Sequence, residues 1–83
     1  MQVAVWDTYV TKKDTTVMHF DIVVPSEVTD ASIIYNYGKL YLISKAQEGQ
    51  ALTYKECSFC HIEALEENRV AEIHNNGFFI IEM

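Results

Sequence analysis

Two runs with a two-residue repeat, Gln2 to Val10 and Val17 to Val24, flank the turn-forming stretch Lys12-Lys13-Asp14-Thr15-Thr16. Both runs are rich in β-branched and aromatic residues, so the pattern predicts a β-hairpin. Pairing Val10 with Met18 and Trp6 with Ile22 leaves a short loop. Ala4, Trp6, Thr8 and Val10 then share one face with Met18, Phe20, Ile22 and Val24, because successive side chains in a strand point to opposite sides. This nearly all-apolar face is the expected core. The other face mixes Val3, Val5, Val17 and Val23 with Asp7, Tyr9, His19 and Asp21.

A chain of 83 residues is expected to be one domain, residues 1–83. At this size roughly 60 to 65% of the unfolded surface is buried on folding, enough to fold without a disulfide or metal. The rest of the pattern is helical until the last few residues. Pro25 ends the second strand, Thr29 or Asp30 caps the next element, and Ile33, Ile34, Tyr37, Leu40 and Tyr41 fall on one helical face. Tyr35, Leu42 and Ile43 are expected to point away from it. Gly38 marks a close approach and Gly49 the exit from this long helix. Thr53 and Glu56 have the spacing of a capping box, which predicts a short helix carrying Cys57, Cys60 and His61 on one side. A further helix runs from Glu66 to His74 with Leu65, Val70 and Ile73 inward, closed by Asn75-Asn76-Gly77. Phe78 to Met83 reads as a last strand. The expected fold is α+β: the hairpin and the last strand in one small sheet, packed by one long and one or two short helices.

Charge narrows the function classes. Six Lys and Arg stand against twelve Asp and Glu, a net charge of −6, which repels nucleic-acid phosphates and anionic lipid headgroups. No apolar run approaches the ~20 residues that span a bilayer, and no basic leader follows Met1. Nucleic-acid and membrane partners are therefore not expected, and a cytoplasmic location is. In that compartment Cys57 and Cys60 are expected as thiols, thiolate ligands or a transient disulfide. The valines of the second face, together with Phe78 and Ile80, suggest that helices cover both faces or that two chains meet there. The second alternative predicts a homodimer or another protein partner.

The segment E-C-S-F-C-H-I-E holds the densest chemistry. C-x-x-C supplies half of a tetrahedral zinc site, and completing it takes histidines. The candidate metal set is Cys57, Cys60, His61 and His74, with His19 as an alternative to His61, whose place beside Cys60 is awkward for one ion. The enzymatic alternative is a thiol redox protein in which Cys57 attacks, Cys60 resolves and His61 favours the thiolate. The literal C-x-x-C-H match to haem attachment is discounted, since attachment belongs to exported proteins and the chain has little room for a haem. The plainest reading is that two small apolar side chains pack beside Phe59 and Ile62. Asp7, His19 and Asp21 form a second candidate, able to trade protons or hold a divalent ion, against the simpler reading of a solvated sheet face. His74 suits a helix C-terminus, the Glu63, Glu66, Glu67 run a solvated helix start, and Tyr35, Tyr37 and Tyr41 the core and its rim.

The blocks V-A-V-W-D-T-Y-V at 3 to 10, V-M-H-F-D-I at 17 to 22, Q-E-G-Q-x-L-T at 47 to 53, E-C-x-F-C-H-I-E at 56 to 63 and the closing G-F-F-I-I-E-M agree in order and spacing over nearly the whole chain. On them the sequence resembles a small bacterial family catalogued as a domain of unknown function. That resemblance implies an α+β fold in a short free-standing protein and carries no activity, cofactor or site residue. The expected function is a binding or assembly module, with zinc at Cys57 and Cys60 as its sharpest form.

Overall fold

The computed structural model describes residues 1–46 and 57–82, and at positions 57 and 58 the backbone alone. The elements are β1 (Gln2–Thr11), β2 (Val17–Pro25), α1 (Ala31–Ser44), β3 (Cys57–Ala64), α2 (Glu67–Asn76) and β4 (Phe79–Glu82). They build a four-stranded sheet of order β3-β1-β2-β4, antiparallel at every pairing. The fold is α+β, with α1 against one face and α2 against the other.

The hairpin has the expected register: Val10 pairs with Met18 and Trp6 with Ile22. Its loop closes through Lys12 N–H to Thr16 O at 2.7 Å and Thr15 N–H to Lys12 O at 3.0 Å. Asp14 accepts from the Thr16 N–H and hydroxyl at 3.0 and 2.7 Å. Thr15 sits at φ 73°, in the left-handed region where a three-residue hairpin loop ordinarily places glycine.

The first face is the core. Ala4, Val10, Met18, Phe20, Ile22 and Val24 are buried with Ile34 and Leu42 of α1, and Tyr35, Tyr37, Tyr41, Phe78 and Ile80 pack around them. Two expectations for α1 are corrected. Its buried line is Ile34, Gly38 and Leu42, while Ile33 and Leu40 are exposed. Leu42, expected outward, is inside, and Tyr35 also packs inward. Apolar residues surround this helix on most sides, so their spacing alone selected the wrong stripe. Asp30 is the N-cap, accepting from Ser32 N–H at 2.9 Å. The helix ends at Ser44, earlier than expected. Lys45 N–H bonds the carbonyls of Tyr41 and Leu42, and Ala46 takes φ 59°. Gly49 and the Thr53–Glu56 capping box lie outside the described residues.

The largest correction is β3. Cys57 to Ala64, expected to begin within a short helix, is an edge strand paired with β1. The register shifts at Val5/Trp6: Val5 faces His61 and Trp6 faces Phe59, leaving Cys60 as the extra residue of a β-bulge. The bulge puts Phe59 and Ile62, three apart, opposite Trp6 and Ala4 of the core face. That spacing imitates a helix. Trp6 and Phe59 meet edge to face at 5.8 Å.

On the second face, Ile73 of α2 packs with Val3, Val5, Val23 and Phe79, and Leu65 and Ile81 border them. Helix α2 thus covers Val3, Val5 and Val23. Phe78 and Ile80, expected on this face, belong to the other, because Ile80 pairs with Ile22. Gly77 closes α2 at φ 84° as a left-handed C-cap, with its N–H on the Ile73 carbonyl. A ten-residue helix is about 15 Å long and a ten-residue strand about 33 Å. Helix α2 therefore covers one half of the face, and Asp7, Tyr9, Val17, His19 and Asp21 lie beyond that covered cluster.

Candidate functional site

The two-residue repeat that builds the core also carries Asp7, Tyr9, His19 and Asp21 to the opposite face. Asp7 pairs directly with Asp21 in the ladder, and Tyr9 with His19. Two carboxylates directly opposite each other repel, so the arrangement calls for a shared proton or a cation. His19 lies diagonal to Asp7. Its Nε2 is 3.7 Å from Asp7 Oδ1 and 3.8 Å from Asp21 Oδ1, too far for hydrogen bonds. The Tyr9 ring stacks on the imidazole, with centroids 4.2 Å apart, and fixes its plane.

Burial sharpens the point. Asp21 is only 8% exposed, and both its Oδ1 and His19 Nε2 are buried without a hydrogen-bond partner. A buried polar atom left unpaired costs about 1–3 kcal/mol, so a pair of them aimed at one spot is a standing deficit that a ligand would remove. Burial, then the neighbouring Asp7 carboxyl, pushes the Asp21 carboxyl up to about 6. Asp7 moves the opposite way, below its ordinary value, chiefly because Asp21 hydrogen-bonds to it. Below about pH 6 Asp21 therefore holds a proton while Asp7 stays ionised to lower pH.

Strand β3 brings Cys60 and His61 beside this pair. The Asp7 carboxyl lies near enough to the Cys60 thiol to act on it electrostatically. His61 reaches Cys60 Sγ through Nδ1 at 3.1 Å and Glu63 Oε2 through Nε2 at 3.2 Å. Partial desolvation, Asp7, Asp21 and Glu63 all raise the Cys60 thiol above its ordinary value. Acidic surroundings thus disfavour the free thiolate that redox exchange requires. The same charges favour a bound cation.

The other sequence candidates are scattered. His74 lies in the last turn of α2, where it faces the helix dipole, and is exposed. Cys57 pairs with Thr8 in the ladder, and its side chain lies outside the described residues, so the expected set Cys57, Cys60, His61 and His74 is not seen together. Among the described residues, the His, Cys, Asp and Glu atoms that converge in a group of three are those of Asp7, His19 and Asp21, all within 4.8 Å of one another. These three are the second candidate offered by the sequence. Glu63 is on β3, while Glu66 and Glu67 begin α2. Tyr37 stacks on Phe78 at 4.1 Å, and Tyr41 packs on Phe20 and donates to Glu82 Oε2 at 2.5 Å. No helix among the described residues is long and apolar enough to cross a membrane.

Residues 1–83 match the family described as "Domain of unknown function (DUF2024)". The chain belongs to the DUF2024 family. Its fold is shared by a solved relative, the NMR structure of protein NE1680 from Nitrosomonas europaea. That protein is 41% identical, with a TM-score of 0.88 over 100% of this chain and 95% of the other. No curated protein matches the sequence. The DUF2024 membership accords with the small bacterial family that the sequence blocks resembled. Neither finding brings an activity, so the chemistry of this DUF2024 chain rests on its own side chains.

Proposed function

We propose that this DUF2024 chain is a cytosolic binding module whose ligand is a divalent transition metal, zinc foremost, held by Asp7, His19 and Asp21. One observation carries the reading: His19 Nε2 and Asp21 Oδ1, both buried and unpartnered, face each other across 3.8 Å, with Asp7 Oδ1 3.7 Å from the same nitrogen. Ligand atoms around tetrahedral zinc stand about 3.4 Å apart, given bonds of roughly 2.0–2.2 Å. The two edges from His19, 3.7 and 3.8 Å, exceed that by a few tenths of an ångström, and all three atoms lie within 4.8 Å of one another. An imidazole with two carboxylates suits zinc, manganese or iron better than calcium, which takes oxygen ligands in larger number. The zinc expected at the cysteine pair thereby shifts to the second face of the sheet.

Calorimetric titration of the metal-free protein with Zn²⁺ at neutral pH tests the reading. One equivalent bound by the wild type, and loss of binding in both Asp21→Asn and His19→Gln, is the expected result. A wild-type protein that takes up no zinc, or an Asp21→Asn variant that binds as tightly, overturns it.

A further inference from the structure

A helix with its side chains is about 10–12 Å across, and the strands of a sheet stand about 4.8 Å apart, so one helix cannot cover four strands. Helix α1 lies over β2 and the β4 side of the core face, where Tyr41 packs on Phe20 and Tyr37 on Phe78. The other half of that face, over β1 and β3, holds a cavity of about 310 Å³. We propose that this cavity binds a small, neutral aromatic molecule bearing a hydroxyl, a phenol by chemical class. It lies on the opposite face of the sheet from Asp7, His19 and Asp21 and does not depend on the metal reading.

The strands build the hollow from small and apolar side chains. Ala4 and Trp6 of β1 form its floor, and the short alanine is what keeps it open. Phe59 and Ile62 of β3 make one wall, both placed on this face by the bulge at Cys60. Ser26, Val28 and Thr29, between β2 and α1, make the other. Phe59 is 52% exposed and Ile62 45%. One exposed apolar residue is ordinary at a protein surface, but two beside a concave apolar hollow have the form of a small-molecule site. The volume stands at the lower end of the ~300–1,000 Å³ range of such sites, which suits a compound of one or two rings.

The lining selects the chemistry. Trp6 and Phe59 already meet edge to face at 5.8 Å, and an aromatic guest extends that arrangement with further edge or offset contacts. The Trp6 indole N–H is buried with no hydrogen-bond partner. A buried donor left unpaired is a cost that an acceptor oxygen on the ligand removes. A phenolic hydroxyl supplies that acceptor, and Ser26 and Thr29 add two protein hydroxyls to the lining. These lining side chains are uncharged, and the net charge of −6 disfavours an anionic ligand.

Trp6 is the single tryptophan of the chain, so its indole N–H gives one signal in the proton–nitrogen correlation spectrum of isotope-labelled protein. Titration with p-cresol, with benzoate and cyclohexanol as controls, tests the proposal. The expected result is a saturable downfield shift of that signal with a dissociation constant on the order of 1 mM, and binding about 10-fold weaker or less for both controls. Phe59→Ala is expected to weaken p-cresol on the order of 10-fold, while the surface change Leu40→Ala leaves it unaltered. The amide signals of the same spectra check that both variants fold. No saturable shift with p-cresol, equal binding of the three compounds, or unchanged binding in Phe59→Ala overturns the proposal. So does self-association of the wild type that Phe59→Ala abolishes, which gives this face to a second copy of the chain.

Discussion

Asp7 and Asp21 stand directly opposite each other across the β1–β2 ladder, and their carboxyls are driven in opposite directions, Asp7 down and Asp21 up to about 6. The pair makes stability depend on pH with a definite sign. Between the ordinary value of 3.8 and about 6, the folded chain holds a proton on Asp21 that the unfolded chain has released. Stability from this group therefore falls as pH rises through that window. Asp7 contributes the reverse: its stabilisation is present above 3.8 and lost as pH falls below it. The metal-free protein is expected to melt highest near pH 4–5 and lower at pH 7, by a difference on the order of 2 kcal/mol. Thermal melts across pH check this.

Asp21→Asn removes the buried ionisation and keeps the shape. In metal-free protein at pH 7 it is expected to melt higher than wild type, and zinc is expected to raise only the wild-type melting temperature. A variant that gains with zinc as the wild type does would contradict the assignment.

On α1 the two leucines are expected to separate cleanly. Leu42 is 2% exposed and Leu40 56%. Leu42→Ala should cost about 2–5 kcal/mol and Leu40→Ala less than about 0.5 kcal/mol. Denaturant unfolding of the two variants measures both.

Gly77 joins backbone conformation to packing. At φ 84° a side chain is strained, and a Cβ there would lie 2.9 Å from the Tyr37 hydroxyl and 3.6 Å from the ring carbon bearing it. Gly77→Ala is expected to cost roughly 1–2 kcal/mol. In a Tyr37→Phe background the clash is gone and only the backbone part remains, so a double-mutant cycle reads a positive coupling.

The hairpin loop offers a gain. Thr15 holds a left-handed conformation at φ 73° that β-branched residues resist. Thr15→Gly is expected to stabilise by about 0.5–1 kcal/mol, a few degrees in melting temperature.

Where the sequence could be read, local rules agreed with one another. The hairpin register, its two faces, a helix capped at Thr29 or Asp30, where Asp30 is the cap, and the Asn75-Asn76-Gly77 stop all follow from period, caps and turn chemistry. Two elements misled for identifiable reasons. Helix α1 carries apolar residues on most sides, so Leu42 and Leu40 could not be told apart by spacing. Strand β3 contains an extra residue at Cys60, which converts a two-residue repeat into an apparent helical one between Phe59 and Ile62.

The sequence by itself determined that Asp7, His19 and Asp21 would share a sheet face, because strand alternation admits no other outcome once the core face is apolar. Tertiary structure alone decided that this end of the face lies past the reach of α2, that Asp21 is buried without a partner for Oδ1, and that Cys60 and His61 arrive from a distant strand. Helix length, a bulge and long-range pairing set those relations, and none of them leaves a local mark in the chain.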